Sequence, residues 1–548
     1  MRRLVAPART YEEVYRSFRW QLPESYNIAW DVCDRHAYDP SRIALIHDHP
    51  TGLRTYTFRE IQRFANKMAN LLVSIGLKMG DRVLIQLPQH PVTAYAHVAC
   101  WKAGLISVPA SILFGVDAVE YRLNNAGASV AITDYENLPK LLEASANAPD
   151  LKQIFVIDAP SGDNYLNLDD QLEKASDQFE TLALTPDTPA FINYTSGTTG
   201  LPKGTLQGHR SMIGHMPGAE VLYDFYPQHG DMIWSPADWA WLAGLMDVLM
   251  PSWFHGRPVV TFPMAGFDPE LALRKMGQHG IRNALLTPTM FKLLRPAKAL
   301  VTEYNVNLRS IITGTESVGR ELLNDMQELF PGVVINEGFG QTECNIVLGN
   351  CSSLGHHKIG SLGVALPGHV AGIVDDDGNP LPDGQVGHLA FLRPDPVMLL
   401  EYWQNPEATR AKFAGDWLLT GDQASRDEEG FFWFHGRGDD VITSSGYRIG
   451  PGEIEDAIIK HPAVAMAAVI GVPDPKRTEI IRAYVVLNPG HVQSEELGEE
   501  ICLSVRDRLA KHEYPRQIRF VEKLPMTTTG KILRRELRDA AKAETVAP

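Results

Sequence analysis

Residues 193–204 read NYTSGTTGLPKG. Thr195, Ser196, Gly197, Thr198, Thr199 and Gly200 stand in a row, and Pro202, Lys203 and Gly204 close the run. Small side chains let backbone N–H groups approach an anion, hydroxyls add hydrogen bonds, and the lysine adds a charge. Such a segment suits a polyphosphate. The P-loop pattern G-x-x-x-x-G-K-[ST] does not fit it. Counted from Gly197, the sixth position is Pro202, and Gly204 stands where a Mg²⁺-binding Ser or Thr belongs. The same composition also describes an inert surface loop, so the rest of the chain has to decide.

The run follows a β-branched stretch, PAFINYTS (189–196), and it has companions. RVLIQLP (82–88), SVAITDY (129–135), KQIFVID (152–158), RPVVTF (257–262), RNALLTP (282–288), LRSIITG (308–314) and VVINEG (333–338) all read as strands. Segments of helical length separate several of them: 91–104, 268–280 and 319–330. This alternation predicts an α/β fold of stacked, largely parallel sheets, whose ligands gather at the carboxyl ends of strands. TSGTTG, TPT (287–289), TGTES (313–317) and EGFGQTE (337–343) each follow a strand, which points to one shared site. After residue 360, turns such as DDDGNPLPDGQVGHL predict a β-rich subdomain of antiparallel hairpins. Near 440 a small α+β unit begins, ending in the loop PMTTTGK and a basic helix.

A chain of 548 residues is too long for one core, so two or more domains are expected. The net charge of −15 argues against a nucleic-acid or membrane-surface binder. Anionic ligands must meet a local positive site. Cysteines 33, 100, 344, 351 and 502 form no CxxC, which suits a reducing compartment and offers no zinc or disulfide framework. No apolar run reaches the ~18 residues of a membrane span, and the N-terminus lacks a signal-peptide core. The expectation is a cytoplasmic protein without stable membrane insertion. On that reading the sequons at Asn193 and Asn350 and the triplet Arg437-Gly438-Asp439 are chance matches.

TSGTTGLPKG, GFGQTE, TGD (420–422), GRGDDVITSSGYRIGPGEIE (436–455) and TTTGK (527–531) together resemble, in order and spacing, the adenylate-forming superfamily. That superfamily comprises acyl-CoA synthetases, luciferases and peptide-synthetase adenylation domains. The resemblance covers roughly residues 40 to 540 and is closest to acyl-CoA synthetases of the acetyl and medium-chain branch. It implies a large N-terminal AMP-binding domain (1–438), a hinge at Asp439, and a small mobile C-terminal domain (439–548). The implied reaction has two steps. A carboxylate attacks the α-phosphorus of ATP and expels pyrophosphate, and the thiol of coenzyme A then displaces AMP from the acyl-adenylate.

Roles follow by resemblance. Thr195 to Gly200 and Lys203 would close over the β- and γ-phosphates. Thr342 would bond the α-phosphate, and Glu343 would bind Mg²⁺, a hard ion that prefers oxygen. Glu337, Gly338, Phe339, Gly340 and Gln341 would line the adenine and acyl pockets, with Gly314, Thr315, Glu316 and Ser317 on the adenine side. Phe339 would stack on the base, although an aromatic there also suits a core. Asp422 and Arg437 would hold the ribose; a simple Asx cap is the other reading of Asp422. Arg448 would contact the nucleotide phosphate. Lys531 would bring a point charge to the α-phosphate and carboxylate oxygens. Ser445, Gly446 and Tyr447 would line the pantetheine path, and Arg477, Arg506, Tyr514, Pro515 and Arg516 would form the CoA surface. Surface arginines are more often merely solvated.

Members restricted to acetate or propionate carry a Trp before the Gln-Thr-Glu. Here that position is Gly340, which should deepen the acyl pocket. Trp239 and Trp241 in SPADWAW are candidate walls, or plain core. A medium-chain or branched aliphatic acid is expected, with an aryl acid as the alternative. An amino-acid adenylating enzyme is a further rival, because Asp238 could pair with an α-ammonium. Against it, no carrier segment follows residue 548, and the YPR and GYRIG segments suit CoA. A dead nucleotide-binding regulator would have no use for both Lys531 and Glu343.

Overall fold

Strand Arg82–Gln86 sits at the middle of an eight-stranded sheet. Parallel neighbours Ala128–Asp134 and Gln153–Ile157 extend the sheet one way, and Ile106–Pro109 and Pro189–Thr195 the other. Lys203–Gly208 then pairs antiparallel with Pro189–Thr195 and takes the short strand Glu401–Tyr402 on its far side. These central strands are buried on both faces, which is why they read as continuous apolar runs.

The computed structural model describes residues 3–195, 202–264, 266–314, 318–437, 440, 442–444, 447–474, 478–508, 514–526 and 532–546. At Arg437, Thr443, Ser444, Tyr447, Arg448, Glu453, Thr478, Asp507, Arg508, Thr545 and Val546 it describes the backbone alone. Among the described residues a second, nine-stranded sheet carries the parallel series Ile43–His49, Val259–Thr261, Ile233–Trp234, Asn283–Leu285, Ser310–Thr313, Val334–Gln341. Gly52–Thr57 closes one edge, and Asn345–Gly349 followed by Val364–Ala365 the other, all antiparallel. Val260, Ala284, Ile311 and Ile335 on these strands pack against Leu273, Met276, Leu323 and Met326 of the covering helices.

Local chemistry sets the helix ends. Pro269–His279 starts with Asp268 accepting from Leu271 N–H and Pro269 in the first turn, and stops at Gly280 with φ +65°. Phe58–Ser74 begins with a reciprocal Thr57/Glu60 capping box. TPT, expected as a site loop, is such a start: Thr287 caps helix Pro288–Leu294 by accepting from Met290 N–H. EGFGQTE also departs from expectation. Residues through Gln341 continue the strand and turn into an antiparallel hairpin with Asn345–Gly349, with a register shift between Phe339 and Gly340.

The chain divides into two compact units. The first takes in residues up to Thr195, then 202–371 and Leu392–Phe413; the second takes in Gly372–Phe391 and the described residues from Ala414 onward. Ala371–Val374, Gly387–Leu392, Trp417–Arg426, Phe413–Ala414 and Phe432–Arg437, which lie mostly in the second unit, form a β-rich part in which Trp417–Arg426 and Phe432–Arg437 pair antiparallel. The turn at Asp375 is held by its Oδ1, which accepts from Asp377 and Asn379 N–H. A further sheet pairs Val464–Asp474 with Thr478–Leu487. Ala467 and Val469 face helices Pro451–Ile459 and Glu495–Arg508, while Ala468 and Ile470 face helix Arg534–Val546. That alternation is the period-2 pattern of a strand covered on both faces.

Candidate active site

In the first unit, Thr195 and Lys203 are cross-strand partners at the end of two paired strands. Ser196, Gly197, Thr198, Thr199 and Gly200 lie outside the described residues. This end of the strand pair is braced by helix Val116–Ala126: Tyr121 OH donates to Pro202 O at 2.7 Å, and Tyr194 OH to Asn125 Oδ1 at 2.8 Å. Asn193 and Asn350 are buried, and Asn193 Nδ2 donates to Ala240 O at 3.3 Å. Neither is open to glycosylation.

The hairpin carrying EGFGQTE lies beside Lys203–Gly208, because Gln207 Nε2 donates to Thr342 O at 2.8 Å. Glu343 follows, 8% exposed, with its carbonyl accepting from Leu399 N–H at 2.8 Å. Its Oε1 accepts from Tyr402 OH at 2.5 Å. Tyr402 pairs with Thr205 across the strands, and Lys203 Nζ stands 5.3 Å from the centre of its ring. Lys412 Nζ donates to Gln341 Oε1 at 3.3 Å and lies 4.0 Å from Glu343 Oε1. Thus Lys203, Gln341, Thr342 and Glu343 are brought together. Sequence reading missed Tyr402 and Lys412, which organise them.

Two glycines are required by close approach. A Cβ at Gly314 would meet Gly338 O at 2.5 Å, and one at Gly340 would meet Asn345 O at 1.8 Å. The hairpin backbone occupies the place where a Cβ of residue 340 would stand. Glu337 is buried and accepts from Val318 N–H at 3.2 Å, tying down the chain after 315–317. Thr315, Glu316 and Ser317 lie outside the described residues. Gly338 and Phe339 are half-buried. Trp239 is fully buried, whereas Trp241 is half-buried with its ring edge-on to Phe114 at 5.9 Å. Asp238 Oδ2 accepts from Ser111 and Oδ1 from Ala240 N–H. Burial raises its pKa, an effect these two bonds moderate. Both oxygens are engaged, which argues against an α-ammonium partner.

In the second unit, Asp422 is 3% exposed inside strand Trp417–Arg426, with its N–H on Thr420 Oγ1 at 3.0 Å. It is a strand residue, not an Asx cap, and stands directly opposite Arg437. Tyr447 and Arg448 pair antiparallel with Ser444 and Thr443. Arg506 is exposed on its helix. Pro515 is buried, and the Arg516 guanidinium stands 4.1 Å over the Tyr514 ring. Asp439, Ser445, Gly446, Arg477 and Lys531 lie outside the described residues. Met526 and Ile532, on either side of the Lys531 segment, are bridged antiparallel.

Among the described residues no cluster of three His, Cys, Asp or Glu side chains could hold a metal. Mg²⁺ that arrives with a nucleotide needs only one or two carboxylates, the rest being phosphate and water. With Oε1 accepting from Tyr402, Glu343 keeps a second carboxylate oxygen that could serve such an ion, so the residues fit. Cys344, next to it, is raised well above the thiol range by burial, so it stays protonated and offers no nucleophile. Among the described residues no helix is long and apolar enough to cross a membrane.

Residues 33–403 match the family described as AMP-binding enzyme, and 453–531 the AMP-binding enzyme C-terminal domain. The acetyl-coenzyme A synthetase of Bacillus subtilis (strain 168) is 35% identical over 97% of this chain and 95% of its own length. The mitochondrial acyl-coenzyme A synthetase ACSM4 of Mus musculus is 34% identical over 94% and 91%. Among solved structures, the anthranilate CoA ligase AuaEII in complex with anthranoyl-AMP superposes with a TM-score of 0.85 at 30% identity, covering 96% of this chain and 99% of that one. A Tyr-held carboxylate beside the Thr195–Lys203 strand end thus lies in a chain whose whole length follows these enzymes: it belongs to the AMP-binding enzyme family, within the adenylate-forming superfamily, among the acyl-CoA synthetases.

Proposed function

We propose that the protein makes acyl-CoA from a carboxylic acid, ATP and coenzyme A by way of an acyl-adenylate, releasing pyrophosphate and AMP. A carboxylate must approach a triphosphate, so catalysis is mostly charge neutralisation and positioning. The observation that carries the reading is Glu343, with Oε1 fixed by Tyr402 at 2.5 Å beside Lys203 and Thr342. Bound Mg²⁺ would neutralise charge on the phosphates, with Glu343 as its protein ligand. Lys203 and residues 195–200 take the leaving pyrophosphate, and Thr342 the α-phosphate. Asp422 and Arg437 hold the ribose. Lys531 supplies the cation of the first step; Ser445, Gly446, Tyr447 and Arg448, with Arg477, Arg506 and Tyr514 to Arg516, serve coenzyme A in the second. The two steps use two orientations of the domain beginning at 439, pivoting at Asp439. The cytoplasm is the proposed site of action.

The acid is a medium-chain or branched aliphatic one, supported by the absence of a side chain at 340. An aryl acid is the second reading, favoured by the Trp241–Phe114 pair and by the likeness to an anthranilate CoA ligase. CoA-dependent AMP formation over acids from C2 to C12 and substituted benzoates decides between them. Activity confined to acetate, or to amino acids, would overturn both.

A further inference from the structure

His215 is wholly buried, and its Nε2 stands 3.0 Å from Asp247 Oδ1. The approach lacks the alignment of a hydrogen bond, and His215 Nδ1, His215 Nε2 and Asp247 Oδ1 have no hydrogen-bond partner among the described residues. Interiors rarely leave polar atoms so, and those that do call for a role.

The position of the pair supplies one. Asp247 lies in the π-helical turn Leu245–Leu249, six positions after the candidate acyl wall Trp241. Such widened turns are rare and are found frequently at functional sites. Tyr223 OH donates to Asp247 O at 3.1 Å. Leu245, Met246, Val248 and Leu249 are exposed by 1% or less, whereas the Asp247 side chain keeps 7%. The one carboxylate in an apolar turn therefore borders a space that solvent reaches. His215 comes from helix Ser211–Leu222, where positions 215, 218 and 222 share a face. A Cβ at Gly218 would stand 3.1 Å from Ile346 O, and one at Gly338 would meet Leu222 Cδ1 at 2.9 Å. The face carrying His215 is thus the one packed on the hairpin that contains Gly340. The pair joins that helix to the segment following Trp241.

We propose that His215 and Asp247 recognise a hydroxyl group on the acyl part of the acid, so that the preferred substrate is a hydroxylated carboxylic acid. A hydroxyl is the smallest substituent that can donate to a carboxylate and accept from an imidazole N–H at once. An ether or a carbonyl only accepts, and an ammonium only donates. An acid lacking the hydroxyl leaves the buried pair unsatisfied, which is how such a site discriminates. The inference rests on the acyl-CoA synthetase reading and on entry of the acid beside Trp241. It names a substituent that either scaffold, aliphatic or aryl, can carry.

Matched acids test it on the full-length protein by CoA-dependent AMP formation. Octanoate is compared with hydroxyoctanoates whose hydroxyl is walked along the chain, and benzoate with the hydroxybenzoates. In at least one pair the hydroxylated acid should show a kcat/KM at least about tenfold higher, and the series containing that pair identifies the scaffold. Asp247→Leu and His215→Leu should each lower this ratio at least about fivefold, the loss falling on the hydroxylated acid. A merely structural role would lower both members alike. Asp247→Asn keeps the size and one acceptor, and should retain part of the preference. If octanoate or benzoate turns over and no hydroxylated partner exceeds it, or if the variants leave the ratio unchanged, hydroxyl recognition is wrong and the acyl-CoA synthetase reading stands. If no acid of either series supports AMP formation, that reading falls and takes the inference with it.

Discussion

Asp440 and Arg538 are 98 positions apart, yet Arg538 Nη1 donates to Asp440 Oδ1 over 2.6 Å. Arg534, one turn earlier, reaches Asp440 Oδ2 at 3.4 Å and Glu455 Oε2 at 2.6 Å. The residue after the proposed pivot is thereby tied to the helix that follows the Lys531 segment. Asp440→Asn should lower the stability of the C-terminal residues by about 1–3 kcal/mol, because two arginines lose a partly buried partner. Urea unfolding followed by hydrogen exchange reads this directly. Unchanged protection would mean that solvent screens the pairs.

Asp422 occupies a buried strand position opposite Arg437. If it accepts from the ribose hydroxyls, Asp422→Ala removes charge-assisted hydrogen bonds worth about 1.5–3 kcal/mol. The KM for ATP should rise roughly 10- to 100-fold, with a smaller change in the KM for the acid. An equal rise in both would point to a general folding defect.

The strands were readable from the sequence because a sheet covered on both faces demands β-branched runs bounded by Gly and Pro. The pairing of Thr195 with Lys203 was foreshadowed by the β-branched run that leads into the Gly/Thr stretch. Thr287 follows its strand as read, and its second job as a helix cap was not legible, because a hydroxyl after a strand looks alike whether it serves a ligand or a helix N–H. EGFGQ was taken for a loop because its glycines suggest turning, whereas here they admit a crossing strand. Tyr402 and Lys412 were out of reach for another reason. Their partners lie 59 and 71 positions away, and no periodicity encodes such a meeting.

Gly340 offers a sharper test of the acyl side. Its missing Cβ makes room for Asn345 O, so Gly340→Ala must displace the hairpin that presents Thr342 and Glu343. A stability loss of about 1–3 kcal/mol is expected, together with a drop in kcat. A variant with parental stability and merely altered chain-length preference would favour a pure pocket-wall role.

His90 caps helix Pro91–Lys102 by accepting from Val92 N–H, which only a neutral ring nitrogen can do. Burial, then the nearby His47 and His49, push its pKa down to about 3, and burial takes His47 down to about 4. Both values lie below the ordinary 6.5, so the unfolded chain binds protons more readily. Stability is fully present above pH 6.5 and is lost as pH falls toward 4. Each such histidine should remove about 1 kcal/mol between pH 6.5 and 5.5. His90→Asn keeps a cap that cannot titrate and should flatten the dependence. Thermal melts from pH 5 to 7.5 check the sign.

The central claim is that Lys531 and the Glu343 cluster together neutralise the charge that builds as a carboxylate attacks ATP. ATP–pyrophosphate exchange by Lys531→Ala, with a medium-chain acid and no CoA, measures that step alone. The account predicts a fall of at least about 100-fold, while the variant still turns preformed acyl-adenylate and CoA into thioester. Exchange at the parental rate would contradict it.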